Sequence, residues 1–323
     1  FHKASCRSHQ CGRRYGLMRS LDWFLVLLLI VGAVGSKTLK FGASGGAEKR
    51  SSSSISGNPR RPAPLGHIPR AWDMETKDWL TALPISKRNE IPAHAPIPHE
   101  GVILDNGKRS SSSGSAFSIS DGGVWLTARH VVEGCDTIWV QIAPNRALKV
   151  QRSITHPRAD VAVLKTRGGP SGLMLSDAQP RHGDDAFNIG FPRGMPGAVH
   201  GRYLGETTMR HRGHRGFREM VNVWSEVSRI PGRFGSLGGL SGGAVFDDTG
   251  RVIGVVEAES RRRGRVMTGQ PKTINEILEL ARVSVKPGDT AGGGFTQNDY
   301  PKAARRLITN LRIARVVCRV DAF

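Results

Sequence analysis

The chain has 323 residues, of which 38% are hydrophobic and 23% charged, with 40 glycines and 18 prolines. This is an ordinary soluble composition with a bias toward loops, long enough for one large domain or two small ones. The net charge of +20 favours attraction to polyanions. The basic runs "GNPRRP", "RHRGHRGFR" and "ESRRRGR" are scattered and no aromatic residues interleave with them, so a platform for single-stranded nucleic acid is not expected.

Residues 1–17 precede Met18 and read as an upstream extension. Met18 opens "MRSLDWFLVLLLIVGAVGSK", in which every residue from Trp23 to Val34 is apolar or small. A bilayer span takes ~20 such residues, so the run is short for crossing. It fits the apolar core of a secretory signal, with Arg19 in front and the small residues Ala33, Val34 and Gly35 before Ser36. Residues 18–36 are therefore expected to be a signal peptide or signal-anchor, with 21–35 as the candidate membrane tether. The chain is expected to be exported, either periplasmic or secreted. Residues 37–113 hold "KRSSSSISGNPRRPAPLGHIPR" and "KRSSSSGS" and read as a flexible Ser/Pro/basic linker.

The texture changes at Gly114. "GSAFSIS", "GVWLTARHVV", "TIWVQI", "ALKVQRSI", "VAVLKT" and "AFNIGFP" are short apolar or alternating runs separated by turn residues. "VHGRYLGE", "VNVWSEV", "GAVF" and "RVIGVVEA" continue the series. Such spacing predicts an all-β sandwich or barrel. "GAVF-DDTG-RVIGVV" predicts a hairpin turning at Asp247, Asp248 and Gly250. Thr273 and Glu276 form a capping-box pattern, followed by Ile274, Ile277, Leu278 and Ala281 on one helical face. Pro301 opens a second amphipathic stretch with Ala304, Leu307, Ile308 and Leu311, and "ARVVCRV" closes the chain as a strand. If Met18 is the start, Cys135 and Cys318 are the only cysteines. They form a candidate disulfide in an exported chain, with two buried free thiols as the competing reading.

The chemistry gathers around "GGLSGGAVF". A serine hydroxyl is a poor nucleophile until a base and an orienting group activate it. It also needs fixed donors where the oxyanion develops, and backbone N–H groups serve well. Glycines beside Ser241 allow the unusual backbone angles that aim such groups, so Gly239-Leu240-Ser241-Gly242-Gly243 is built as a nucleophile with its oxyanion hole. His130, at the end of "VWLTARHVV", is the candidate base. Asp160, heading the apolar "ADVAVL", is the candidate orienting acid.

These three segments, in this order, resemble the chymotrypsin-like (trypsin-like) serine peptidases. "LTARHVV" is similar to that family's Thr-Ala-Ala-His motif, "ADVAVL" to its Asp-(Ile/Val)-Ala-(Val/Leu) motif, and "GLSGGAVFDDTGRVIGV" to its Gly-x-Ser-Gly-Gly motif with the following hairpin. "GSAFSI" resembles its Gly-Ser-Gly-Phe strand. The likeness covers about Gly114 to Val283 and is greatest to the bacterial HtrA-like branch. Three motifs in order are a specific signal where one alone is weak. The resemblance implies two packed six-stranded antiparallel β-barrels over 114–285, with a C-terminal helix and strand extension over 286–323. It implies a serine endopeptidase that needs no cofactor. Ser241 would be the nucleophile, His130 the general base and Asp160 the group orienting it. The N–H groups of Gly239 and Ser241 would form the oxyanion hole. The substrate pocket would be floored at Gly235 and walled by Val256 and Glu257, with no metal.

Two departures from the family stand out. Leu240 replaces the aspartate or asparagine found in relatives, and no Ile-Val-Gly-Gly-like activation site precedes "GSAF". The oxyanion loop is thus expected to be ordered by packing or by substrate. No PDZ domain is expected after the second barrel. His211 and His214, in "MRHRGHRGFRE", read as a solvated basic loop without an acidic partner rather than a zinc site. Expected partners are protein or peptide substrates, with acidic partners or an anionic membrane surface as candidates for the basic loops. The alternative function is a catalytically silent peptide- or polyanion-binding protein on the same fold.

Overall fold

The structure, a computed structural model, describes residues 102–105, 110–212, 216–232, 235–285 and 293–321. The upstream extension, the signal segment with its candidate tether, and the linker up to residue 101 lie outside these residues. No described helix is long and apolar enough to cross a membrane.

The strands are β1 (Val102–Asp105), β2 (Ser112–Ser120), β3 (Val124–Thr127), β4 (Thr137–Ala143), β5 (Arg146–Lys149), β6 (Arg152–Thr155) and β7 (Ala162–Lys165), followed by β8 (Asp185–Gly190), β9 (Gly197–Arg212), β10 (Phe217–Ile230), β11 (Ala244–Phe246), β12 (Val252–Ser260), β13 (Arg265–Gly269) and β14 (Ile313–Arg319). Among the described residues three α-helices accompany them: α1 (Arg129–Val132), α2 (Pro271–Leu280) and α3 (Tyr300–Thr309). The first sheet runs β5-β4-β14-β2-β3-β7-β6. The second runs β1-β9-β10-β13-β12-β11-β8, and β8 also pairs with β9, so β8 to β13 close into a ring. Neighbours are antiparallel except β1, which pairs parallel with β9. The expected two-unit, all-β architecture with C-terminal helices is what the chain adopts.

The first sheet is sealed by fully buried Phe117, Trp125, Leu126, Val140, Val163 and Leu164. Burying one such side chain contributes about 1.5–3 kcal/mol, and these residues form one continuous apolar core with Phe187, Ile189, Phe246 and Val255 of the second sheet. Trp125 also needs a partner for its indole N–H, and Thr166 Oγ1 accepts it at 2.9 Å. The predicted hairpin forms between β11 and β12. Asp247 Oδ1 accepts from the backbone N–H groups of Thr249 and Arg251, at 3.0 and 2.8 Å.

Four expectations are corrected. The linker reading fails at its end, because Val102–Asp105 adds a strand to β9 and β2 begins at Ser112. The second helix region does not begin with a capping box at Thr273: α2 starts at Pro271, a good first-turn residue because its missing N–H is not needed there. The Thr273 hydroxyl instead donates to the Gln270 carbonyl at 2.6 Å, although Ile274, Ile277, Leu278 and Ala281 are buried as read. The basic "RHRGHRGFR" stretch is mostly ladder, since β9 runs through Arg212 and β10 begins at Phe217. Finally, the carboxyl-terminal strand is no appendage. β14 lies between β2 and β4 in the middle of the first sheet, with Ile313, Ala314, Val316 and Cys318 buried.

Cys318 is bonded to Cys135, their Cα atoms 5.5 Å apart and 183 positions apart in sequence. Cys135 follows α1, which carries His130, so the bond ties the last strand to the turn beside that histidine. Closing a loop of this length contributes roughly 4–5 kcal/mol in the chain-entropy model. Reduction, or a Cys135→Ser/Cys318→Ser double variant, is expected to lower the melting temperature by roughly 10 °C, at about 2–4 °C per kcal/mol for a domain of this size. Differential scanning calorimetry with and without reductant measures it; an unchanged melting temperature would remove the bond from the stability account.

Candidate active site

β3 ends at Thr127, and α1 follows after Ala128. His130 therefore sits on one helical turn rather than on the strand. Asp160 lies in the tight segment before β7. Its carboxylate has 0% side-chain exposure against 21% for the His130 ring. One oxygen meets His130 Nδ1 at 2.5 Å, and the other accepts the His130 backbone N–H at 2.8 Å. This two-point grip fixes both the ring and the turn that carries it. Burial alone would lower the pKa of His130, but the charge and hydrogen bond of Asp160 outweigh it. Glu219 and Glu133 add to them, and the net shift is upward from 6.5. For Asp160 burial acts upward, yet the His130 and His211 interactions prevail and hold it below the ordinary carboxylate value.

Ser241 comes from the other sheet, on the segment leading into β11. Its loop is pinned from the first sheet by Ser115, a residue the sequence reading did not single out. The Ser115 backbone N–H donates to the Ser241 carbonyl at 2.8 Å. Its hydroxyl donates to the Gly239 carbonyl at 2.8 Å and accepts from Phe191 N–H at 2.8 Å. Gly239 has φ +97°, and a Cβ there would lie 2.7 Å from the Phe191 carbonyl oxygen. Gly242 has φ +84°, and a Cβ there would lie 2.1 Å from the Ser115 carbonyl oxygen. Both positions thus require glycine for backbone angle and for space. Among the described residues no acceptor is recorded for the N–H of Gly239 or of Ser241, which leaves two donors on this loop. Leu240 is 1% exposed and packs with Ala186, Val199, Leu237 and Val256. The loop is thus anchored by an apolar side chain and ordered by packing.

His130, Ser241, Val256 and Glu257 line one cleft of about 180 Å³. The Ser241 hydroxyl donates to the Glu257 carbonyl at 3.3 Å rather than to His130. Nucleophile–base bonds are often long or misaligned in substrate-free sites. Gly235 is not among the residues lining the cleft. Glu259 does line it and accepts from the Leu237 N–H at 2.9 Å. Glu257 is only 1% exposed, and its carboxyl lies beside His211 and Glu219. The register shift between Val256 and Ala258 lies at this point of β12.

The reading of His211 is overturned. It is 2% exposed and its Nε2 lies 2.5 Å from Glu219 Oε1. Glu219 stands within the quoted basic stretch itself, so an acidic partner was present in the sequence. His211, Glu219 and Glu257 offer three ligand-type atoms within 4.8 Å of one another. Glu219 is already engaged by His211 and by the Asp160 N–H, so the cluster is held by hydrogen bonds. His214 lies outside the described residues.

A serine on a glycine-framed turn of one sheet thus shares a cleft with a histidine of the other, itself gripped by a buried aspartate. Residues 114–255 match the family model described as a trypsin-like peptidase domain. Over 165 residues the chain is 30% identical to the "Probable periplasmic serine endoprotease DegP-like" of Pseudomonas savastanoi pv. phaseolicola, covering 50% of this chain and 32% of the relative. It is 30% identical over 190 residues to the protein of the same description from Pseudomonas putida, covering 58% and 38%. The chain thus spans about a third of the length of these curated relatives. Among solved structures it is similar to the Rv3671c protease from M. tuberculosis, with TM-score 0.46, 18% identity, and 61% and 95% of the two chains covered. It is also similar to the HtrA-type protease AlgW with decapeptide, with TM-score 0.39, 22% identity, and 56% and 63% covered.

Proposed function

We propose that the chain is a serine endopeptidase acting on peptide bonds of protein substrates, and that it works outside the cytoplasm. The observation that carries the reading is the buried Asp160–His130 pair, gripped at two points, in the same cleft as Ser241. Ser241 attacks the scissile carbonyl as its proton passes to His130 Nε2. Asp160 keeps the other ring nitrogen protonated and stabilises the imidazolium that forms. The oxyanion is received by the N–H groups of Gly239 and Ser241, held ready by the Ser115 contacts and by buried Leu240. His130 then returns the proton to the leaving amine, and water repeats the cycle on the acyl-enzyme. Nothing in this sequence of steps requires a cofactor. The export reading rests on the segment 18–36 and on relatives described as periplasmic.

The base must be neutral to act, and Asp160 raises its pKa. Activity is therefore expected to be full at alkaline pH and to fall as pH drops through a midpoint above 6.5. A kcat/KM profile on an unstructured protein substrate such as casein measures this. An acid limb with its midpoint well below 6.5 would contradict the His130–Asp160 assignment.

A further inference from the structure

Behind the His130–Asp160 pair, the second sheet supplies a polar cluster that the hydrolytic cycle does not use. The Asp160 backbone N–H donates to both oxygens of Glu219, at 3.1 and 3.0 Å. Glu219 Oε1 accepts from His211 Nε2 at 2.5 Å. The His211 ring stacks on Phe217, their centroids 4.1 Å apart, and the Arg129 guanidinium lies 4.9 Å from the Phe217 ring. Arg129 precedes His130 in the chain and donates to the carbonyls of His156 and Pro157, at 2.9 and 3.1 Å. The segment bearing Asp160 is thus clamped between α1 and the β9–β10 hairpin.

Glu257, on β12, closes the cluster from below. Its carboxyl lies against Glu219, and its Oε2 is buried with no partner among the described residues. Three carboxyl groups this close cannot all be ionised in a dry interior. Asp160 is paired with His130, and Glu219 has donors from Asp160 and His211. Burial pushes the Glu219 carboxyl up as well, but Glu257, with one oxygen unpartnered, is the group pushed furthest. Burial, then Glu219 and Asp160, push its pKa well above the ordinary value. A buried anion beside Asp160 is adverse for stability unless something holds it. What the arrangement provides is a fixed point on the Asp160 main chain and added negative potential at His130.

We propose that Glu219 is a positioning residue: from the second barrel it holds the Asp160 backbone, and with it the His130–Asp160 pair, while His211 and Glu257 hold Glu219. The inference rests on the hydrolytic reading for its effect on rate, but not for its effect on the histidine. Groups that bear on His130 are Asp160, Glu219 from β10 and Glu133 beyond α1.

The test uses Glu219→Gln and Glu219→Ala in the full chain. The His130 pKa is read by NMR titration in a Ser241→Ala background, which needs no activity. It is expected to fall by about half a unit or more in both variants, because a negative charge near the imidazolium is lost. In the active background, Glu219→Ala is expected to lower kcat roughly tenfold or more with KM within about twofold. Glu219→Gln keeps an acceptor for the Asp160 N–H and is expected to recover much of that loss. An unchanged His130 pKa in both variants, or full kcat in Glu219→Ala, would overturn the proposal. So would one equivalent of zinc bound to the parent and lost in Glu219→Gln, which would make the cluster a metal site. If Glu219→Ala does not fold, the His130 pKa of Glu219→Gln decides alone. If the parent hydrolyses nothing, the hydrolytic reading fails while the His130 pKa still decides this one.

Discussion

Ser241→Ala is expected to reduce kcat by roughly six orders of magnitude, the scale on which removing the nucleophile of a triad acts. The oxyanion donors and the cleft would remain, leaving about 10³–10⁴-fold acceleration over water. The fold should be unaffected. Among the described residues the Ser241 hydroxyl makes one hydrogen bond, to the Glu257 carbonyl at 3.3 Å, and the loop is held by Ser115 and by Leu240. The measurement is hydrolysis of a protein substrate beside a thermal melt. Activity within tenfold of the parent, in a variant with the parent's melting temperature, would remove Ser241 from the reaction.

Asp160→Asn is expected to lower kcat by about four orders of magnitude. The argument is one of tautomers. The Asp160 carboxylate accepts from His130 Nδ1 at 2.5 Å, so the proton sits on Nδ1 and Nε2 is left free to take one. An asparagine amide presented to the same nitrogen would donate, force the proton to Nε2 and leave the base unable to act. A kcat within tenfold of the parent would show that the aspartate does not set the tautomer.

The three motif residues were legible because each is bound to a local pattern: His130 after an apolar strand, Asp160 before one, Ser241 among glycines. The strand series was legible through its period and its turn residues. Apart from the Cys135–Cys318 bond, which the cysteine count suggested, what escaped was set by register or by distant packing. Ser115 reads as an ordinary serine in a strand, and its grip on the nucleophile loop exists only because two sheets meet there. His211 and Glu219 look like members of a charged loop. They become a buried pair only when β9 and β10 extend into a long hairpin with both side chains turned inward. Glu257 was placed at the cleft by the family resemblance and does line it, but the burial of its carboxyl beside Glu219 had no signal in the sequence. The last strand was visible as an apolar segment, but its position between β2 and β4 follows from the whole sheet and from no local signal.

The central claim is that Ser241 is a nucleophile activated by His130 and Asp160. The most direct measurement is reaction of the full chain with a fluorophosphonate probe, followed by mass spectrometry of the peptide containing residues 238–256. Such a probe reacts with activated serines and not with ordinary hydroxyls, because attack needs the neighbouring base. The account predicts one equivalent of adduct on Ser241, lost in His130→Ala and strongly slowed in Asp160→Asn. No adduct on Ser241 after long exposure at alkaline pH, in a protein with a cooperative melt, would contradict it and leave a binding protein on a peptidase fold.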